Sequence, residues 1–411
     1  MSTGKNILSN KARIPILHVL FVADADSKYG APNSLFGLVR ALKKKDNSLK
    51  ISIVLTRHSD NTEDFYEIGC NVYQIPYLPF YQAVSYNKLK LVVKYVLRGL
   101  EYLYGRIFAV SILEKQLDLS TVDIIHANSS REDFGAILAK KNNKPLVWHI
   151  REFGDLDYRC YSYRRNYISF MRENATVFVA VSDAVRQHWI EKGIPDEKIK
   201  LIYNGVKENT IHKDVENLEQ KRGDKDDSCQ MVMMGSICET KGQHQIIKAM
   251  ALLSENYKKK MQLHIVGDGV HGYVNVLKRL VKSLHLENNV HFLGYQKNFY
   301  PQLASYDCGI MCSKSEGFGR VTVEYMRAGL PVLASDTGAN IELVEEGKSG
   351  LLYHYPDVED LRDKLVYLME HREEVLRMSV SAFAAGERFT EERTAKAVYN
   401  LYLEIMERKG C

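Results

Sequence analysis

Two glutamates, Glu316 and Glu324, flank the short glycine-containing segment GFGR at 317–320. Gly317 and Gly319 would let the backbone approach a ligand closely, and the first amides of a following helix would form an anion site. Glu316 in the loop and Glu324 in the helix could each accept hydrogen bonds from the hydroxyls of a nucleotide sugar. A helix cap followed by a solvated glutamate is the simpler alternative, and the spacing alone leaves both open.

A second candidate site is the segment MGSICETKG at 234–242, which follows a predicted strand. A tight turn there would bring Ser236 and Lys241 to the carboxyl end of that strand. Lysine binds a diphosphate as a compact point charge. A lysine before a glycine is also common where helices start, so this segment predicts diphosphate binding only together with others.

His149 ends a predicted strand at 145–149, and the carboxyl ends of parallel strands face the ligand crevice. We therefore expect His149 to face a bound substrate, with a buried, capped imidazole as the alternative. His126 ends the preceding predicted strand with the same geometry and a weaker claim.

These residues need a scaffold of parallel strands. Short β-rich runs alternate with helical periodicity in two series, which predicts an α/β fold with two parallel sheets. The predicted strands are 16–22, 50–55, 72–75, 122–126, 145–149 and 176–181, then 230–234, 262–266, 290–293, 308–311, 331–334 and 350–353. We predict a first domain at 1–207, a linker at 208–227, a second domain at 228–385 and a C-terminal helix at 386–411 that packs back on the first domain.

Composition limits the function classes. The chain has 411 residues, 45% of them hydrophobic and 26% charged, which excludes disordered, collagen-like and small disulfide-stapled proteins. Its 7 cysteines contain no Cys-x-x-Cys pair, which indicates reduced thiols and no zinc site. We expect a cytoplasmic protein, because we find neither a signal-peptide core nor an apolar span of about 20 residues.

Together these segments resemble the retaining family 4 glycosyltransferases of the GT-B fold, over nearly the whole chain and in the family's order. The matching motifs are Gly30, DIIH at 123–126, VS at 181–182, IYNGV at 202–206, GDG at 267–269, the Glu316 and Glu324 spacing, and Gly338 with Glu342. The resemblance implies two Rossmann-like domains that face each other across a cleft. It assigns the acceptor to the first domain and the nucleotide sugar to the second.

The resemblance also implies roles. Glu316 would lie beside the transferred sugar, Glu324 would bond the ribose, and His149 would contact the donor sugar opposite Glu316, which makes His149 and Glu316 the catalytic pair. The implied donor-binding set is Gly30, Ser236, Lys241, Glu316, Gly317, Phe318, Gly319, Arg320 and Glu324. The leaving phosphate would take the acceptor's proton on the same face, so no protein nucleophile is required. Neither a cofactor nor a metal is implied. The nucleotide sugar is a substrate, with UDP-sugar favoured over GDP-mannose.

The sequence departs from the family at two positions. Ser236 stands where the family usually has a diphosphate-binding arginine, and Arg320 is our hypothesis for the replacement charge. The first loop, at 29–32, keeps a single glycine. Two Asp-x-Asp patterns, at 24–26 and 155–157, match the metal motif of the other large glycosyltransferase fold, but two Rossmann series disfavour that chemistry.

The acceptor half of the chain is basic. Residues 1–207 contain 30 lysines and arginines against 21 aspartates and glutamates. Segments 86–117 and 157–172 mix aromatic, apolar and basic residues, which suits either an anionic membrane surface or a core-facing helix with a solvated basic face. No RNA-binding motif is present, so we expect no nucleic-acid partner.

We therefore predict a retaining, metal-independent hexosyltransferase on the inner face of the cell membrane. It would extend a surface glycan in polysaccharide biosynthesis. Its acceptor would be a glycan or a polyprenyl-diphosphate-linked molecule. Two alternatives stay open: a sugar-nucleotide epimerase or hydrolase on the same scaffold, and a non-catalytic partner subunit of another glycosyltransferase.

Overall fold

The computed structural model describes residues 16–23, 30–56, 62–78, 81–83, 88–154, 160–207, 228–269 and 271–410. The predicted linker at 208–227 and both Asp-x-Asp patterns lie outside the described residues.

The first sheet has seven parallel strands. Its strands run in the order β3-β2-β1-β5-β6-β8-β9, and β4 and β7 form a separate antiparallel pair. The bounds are β1 His18–Ala23, β2 Lys50–Leu55, β3 Asn71–Gln74, β4 Tyr81–Ala83, β5 Ile124–Ala127, β6 Leu146–Ile150, β7 Cys160–Ser162, β8 Val177–Ala180 and β9 Ile199–Leu201. The accompanying helices are α1 Gly30–Lys45, α2 Thr62–Glu67, α3 Lys88–Glu114, α4 Phe134–Asn142, α5 Tyr167–Asn174 and α6 Asp183–Glu191.

The second sheet has six parallel strands in the order β12-β11-β10-β13-β14-β15. They are β10 Cys229–Met234, β11 Met261–Val266, β12 Val290–Gly294, β13 Cys308–Met311, β14 Val332–Ser335 and β15 Gly350–Tyr353. The helices are α7 Gln243–Ala251, α8 Glu255–Lys260, α9 His271–Ser283, α10 Arg320–Arg327, α11 Asn340–Leu343, α12 Val358–Glu370, α13 Arg372–Gly386 and α14 Glu391–Gly410. Two parallel sheets with interleaved helices confirm the predicted fold of two Rossmann-like domains.

Strand burial explains why these segments read as continuous apolar runs. All six residues of β1 are buried, as are those of β5, β6 and β8, because helices cover both faces of the sheet. In the second sheet β10 lies between β11 and β13. Both of these strands come later in the chain, and they lie on opposite sides of β10. The direction of strand order therefore switches beside β10, and ligands bind outside the carboxyl ends of strands at such a point.

Helix α1 begins at Gly30, directly after the undescribed residues 24–29. Gly30 is therefore the first residue of a helix rather than part of a loop, and Pro32 lies in its first turn. Proline is tolerated there because the first helical N–H groups have no partner within the helix. The three-residue strands β4, β7 and β9 were not predicted, since such short segments carry too little periodicity.

Helix α14 crosses from the second sheet to the first domain. Arg40 of α1 pairs with Glu391 at 2.5 Å, and the Thr394 hydroxyl donates to the Tyr203 carbonyl at 2.8 Å. Gly205 lies against the start of this helix, where an added Cβ would be 2.2 Å from the carbonyl carbon of Thr390. The glycine of the IYNGV motif is thus required for the crossing.

Candidate active site

Lys241 and Glu316 form an ion pair at the carboxyl edge of the second sheet. Lys241 ends a single turn of 3₁₀-helix after β10, and Glu316 lies in the loop after β13. The Lys241 Nζ atom is 2.7 Å from Glu316 Oε2, and the side chains are 32% and 14% exposed. An ion pair that is still partly exposed contributes little to stability, so a ligand can replace either partner at small cost.

Arg320, the first residue of α10, pairs with Glu324 one turn later. Arg320 Nε donates to Glu324 Oε1 at 2.9 Å. The Arg320 Nη1 atom is buried and has no hydrogen-bond partner among the described residues. Both glutamates of the predicted pair therefore lie beside a cation, and the Nη1 atom of Arg320 has no acceptor among the described residues.

The loop that carries Glu316 is held against the first domain. The Ser182 hydroxyl donates to the Gly317 carbonyl. An added Cβ on Gly317 would lie 2.7 Å from the carbonyl oxygen of Arg151, so any larger residue would push the two domains apart. The ring of Phe318 is buried and packs edge-on against Phe389 at 5.8 Å, so its side chain anchors the loop.

Glu342 makes a second contact between the domains. Its carboxylate accepts hydrogen bonds from the backbone N–H groups of Asp183 at 2.9 Å and Ala184 at 3.1 Å, at the start of α6. The Tyr203 hydroxyl donates to the same carboxylate at 2.8 Å. Burial and then Glu342 raise the pKa of Tyr203 to about 12, so this hydroxyl stays protonated at neutral pH.

His149 is fully buried at the end of β6. Its Nδ1 atom is 3.1 Å from His126 Nε2, and His126 Nδ1 is 2.5 Å from the Tyr402 hydroxyl of α14. Its Nε2 atom is buried and has no hydrogen-bond partner among the described residues. Burial, and next the charge of Arg151, hold the pKa values of both histidines well below the ordinary value, so both are neutral at neutral pH.

Arg151, two residues after His149, is a functional candidate to which the sequence patterns assigned no role. Its Nε atom donates to Asn128 at 2.9 Å, its Nη1 atom donates to Asn204 at 2.6 Å, and its Nη2 atom lies 3.4 Å from His149 Nδ1. Burial lowers the pKa of Arg151 to about 9, and it remains charged at neutral pH. Asn204 belongs to the IYNGV motif, and that was the signal available for this cluster.

Two predicted residues lie apart from these contacts. Gly30 begins α1 after the undescribed residues 24–29, and a Cβ added to it would meet nothing within 4 Å. Ser236 is exposed after β10, and its carbonyl accepts a hydrogen bond from Gln243 at 3.0 Å. Within the described ranges, no group of three or more metal-ligating side chains is present.

Helix α3 corresponds to the predicted basic and aromatic segment at 86–117. One side packs on the first domain through Tyr102, Ala109 and Leu113, which are buried. The rest of the helix exposes large apolar side chains: Val92, Val93, Tyr95, Val96, Leu97, Leu100, Leu103, Tyr104, Ile107 and Phe108. No helix in the described part of the chain is long and apolar enough to span a bilayer.

Some basic residues of these segments turn inward. Asp133 is fully buried at the start of α4 and pairs with Arg106 and Arg164, and it accepts a hydrogen bond from the Tyr102 hydroxyl at 2.8 Å. These two arginines neutralise a buried carboxylate, so they are not available to an anionic surface.

Two family descriptions match the chain. Residues 30–209 match Glycosyltransferase Family 4, and residues 214–384 match Glycosyl transferases group 1. The N-acetyl-alpha-D-glucosaminyl L-malate synthase of Bacillus anthracis is 28% identical over 59% of this chain and 63% of its own length. The O-antigen biosynthesis glycosyltransferase WclY of Escherichia coli is 24% identical over 69% of this chain and 80% of its own length.

Solved structures share the whole arrangement. Anabaena HepE, solved in complex with UDP and glucose, superposes with a TM-score of 0.70 at 24% identity and covers 93% of this chain and 98% of its own. The two family matches together span both sheets and the contacts around Glu316. The chain is therefore a glycosyltransferase of the GT-B fold.

Proposed function

We propose that the protein is a retaining, metal-independent hexosyltransferase. It moves a hexose from a nucleotide diphosphate sugar, with a UDP-sugar as the first candidate and GDP-mannose as the second, to a growing lipid-linked surface glycan. The second domain binds the donor, and the first domain binds the acceptor.

One observation carries this proposal. The loop after β13 carries Glu316, which pairs with Lys241, and it leads into α10, which carries the Arg320–Glu324 pair. Gly317 of this loop lies against the carbonyl of Arg151, two residues from His149. Lys241 and Arg320 can bind a diphosphate through their charge. Glu316 and Glu324 can accept hydrogen bonds from sugar hydroxyls. Catalysis on this arrangement depends on positioning and on stabilising the departing diphosphate.

The proposed reaction needs no protein nucleophile. The bond between the anomeric carbon and the diphosphate oxygen breaks, and the acceptor oxygen bonds to that carbon on the same face. The acceptor's proton passes to the departing diphosphate oxygen. Glu316 orients the sugar, Lys241 stabilises the diphosphate charge, and the buried Nε2 atom of His149 contacts a sugar hydroxyl.

The relatives support a UDP-sugar and a surface glycan. HepE was solved in complex with UDP and glucose, and WclY is named for O-antigen biosynthesis. The exposed apolar face of α3 supports an acceptor at an anionic membrane, because lipid-linked glycans are presented there and apolar area adds to electrostatic attraction.

Nucleotide binding tests the donor assignment. We would measure the stabilisation of the protein by UDP, GDP, ADP and their common sugars, for the wild type and for Glu324→Ala and Lys241→Ala. Ligand at a hundredfold over its Kd adds about 2.7 kcal/mol to the free energy of unfolding. We expect one nucleotide to stabilise the wild type and neither variant.

Glu345→Ala and Lys348→Ala are the matched controls, since these residues form an exposed ion pair in the same domain. Both should respond like the wild type. Stabilisation by no nucleotide would favour the non-catalytic subunit, and turnover of the nucleotide sugar without an acceptor would favour a hydrolase or epimerase.

A further inference from the structure

The side chains behind His149 form a continuous hydrogen-bonded chain that ends on the C-terminal helix. Tyr402 contacts His126 Nδ1 at 2.5 Å, and His126 Nε2 contacts His149 Nδ1 at 3.1 Å. All three side chains are fully buried, so within the described structure water does not reach these atoms. The proton on each ring is therefore set by its neighbours.

Two polarities are possible for such a chain. Either Tyr402 donates and every proton points toward the cleft, or Tyr402 accepts and every proton points away from it. In a neutral imidazole one nitrogen donates and the other accepts, so one choice fixes all the others.

Arg151 selects between these polarities. Its Nη2 atom lies 3.4 Å from His149 Nδ1, and a guanidinium can only donate. A proton on His149 Nδ1 would lie close to this cation and be repelled by it, whereas a lone pair there is attracted to it. Asn128 and Asn204 hold the guanidinium in place through its Nε and Nη1 atoms.

We propose that Tyr402 is a positioning residue for the transfer reaction: with Arg151 it holds His126 and His149 in the tautomer protonated on Nε2. His149 then offers an N–H donor, at its unpartnered buried Nε2 atom, to a hydroxyl of the donor sugar. The assignment of that sugar rests on the proposed function. The tautomer of His149 can be measured without any substrate, so that part of the proposal does not depend on the proposed function.

Nitrogen-15 NMR of histidine-labelled protein tests the tautomer directly. The chain has 13 histidines, so His126→Gln and His149→Gln variants are needed to assign the two resonance pairs. We expect both rings of the wild type to be neutral and protonated on Nε2. A wild-type His149 protonated on Nδ1 would overturn the proposal, whatever the enzyme's substrate proves to be.

Tyr402→Phe removes the hydroxyl and keeps the ring. We expect a mixture of tautomers at His126 and His149. We also expect a Kd for UDP-glucose about three- to tenfold higher, which is the effect of losing one hydrogen bond between neutral groups. The Kd for UDP should be unchanged, because UDP lacks the sugar that His149 contacts. A purely structural role would weaken both ligands alike.

Tyr399→Phe is the matched control on the same helix, since its hydroxyl donates to Asp46 at 2.8 Å, away from the histidines. It should leave the tautomers and both Kd values unchanged. If Tyr402→Phe leaves the tautomer of His149 unaltered, Tyr402 has no positioning role. If the wild type binds UDP but not UDP-glucose, the proposed donor fails, and the NMR result still decides the tautomer.

Discussion

At the scale of single residues, the candidate site consists of two ion pairs in which a ligand can replace either partner. Glu316 and Glu324 each lie against a cation, at 2.7 Å and 2.9 Å, with both partners partly exposed. The sequence predicts roles for Lys241 and Glu316, because their residue types and neighbouring glycines suit the binding of a nucleotide sugar. Arg320 is our hypothesis for the charge that replaces the arginine absent at Ser236.

Arg320→Ala should raise the KM for the donor and lower kcat, because Ser236 leaves the diphosphate without its usual arginine. The loss in kcat/KM should be about ten- to hundredfold, the value of a hydrogen bond to a charged group. Steady-state kinetics with the donor found by the binding screen measures this, and Lys348→Ala serves as an exposed control.

Arg320 could act on the diphosphate or on Glu324. Adding Ser236→Arg to the Arg320→Ala variant distinguishes these two roles. Recovery of donor KM would show that the lost charge served the diphosphate. Unchanged kinetics in Arg320→Ala alone would contradict the compensation hypothesis.

At the scale of elements, α3 differs from the other helices of the first domain. It uses a narrow stripe that includes Tyr102, Gly105 and Ala109 to pack on the domain, and Gly105 lies against the backbone of Tyr77. The remaining face exposes apolar side chains such as Leu100, 58% exposed, and Ile107, 67% exposed. Contiguous apolar surface of this kind marks an interaction site.

Leu100→Glu and Ile107→Glu should each reduce binding to anionic vesicles by about tenfold or more, since a charge replaces an apolar side chain that would enter the interface. Co-sedimentation with phosphatidylglycerol vesicles measures this. Thermal stability should stay unchanged, because both side chains are exposed.

Leu252→Glu, at an exposed position of the second domain, is the control and should bind vesicles like the wild type. Equal binding to neutral and anionic vesicles would contradict the anionic-surface proposal. A concentration-dependent dimer that the α3 substitutions dissociate would identify a second copy as the occupant instead.

At the scale of the whole molecule, the two domains are joined by a few polar contacts in addition to the crossing of α14. Glu342 accepts three hydrogen bonds from the first domain, and Gly317 accepts one from Ser182. Because the loop that carries Glu316 and Gly317 itself makes one of these contacts, the arrangement of the domains and the geometry around Glu316 are coupled.

Glu342→Ala should open the cleft, because it removes all three hydrogen bonds at once. We expect a larger radius of gyration by small-angle scattering without ligand and a kcat/KM about tenfold lower. Glu345→Ala, on an exposed ion-paired glutamate nearby, should change neither quantity. An unchanged radius in Glu342→Ala would mean that Glu342 does not hold the domains together.

The sequence by itself determined the two parallel sheets, because buried strands of β-branched residues and amphipathic helices are local patterns. It also predicts site roles for His149, Lys241, Glu316 and Glu324 from their residue types and neighbours, and these roles stay predictions. It missed the β4 and β7 pair, since three-residue strands are defined by their partner rather than by their own periodicity.

Only the tertiary structure decided how the site is supported. His126 and Tyr402 are separated by 276 residues, and Arg151 and Asn204 by 53, yet each pair is in direct contact. Local patterns cannot specify such pairs, because their proximity depends on how α14 and the two domains pack. The excess of basic residues in the first domain also overstates the positive charge available to a partner, since Arg106 and Arg164 neutralise the buried Asp133.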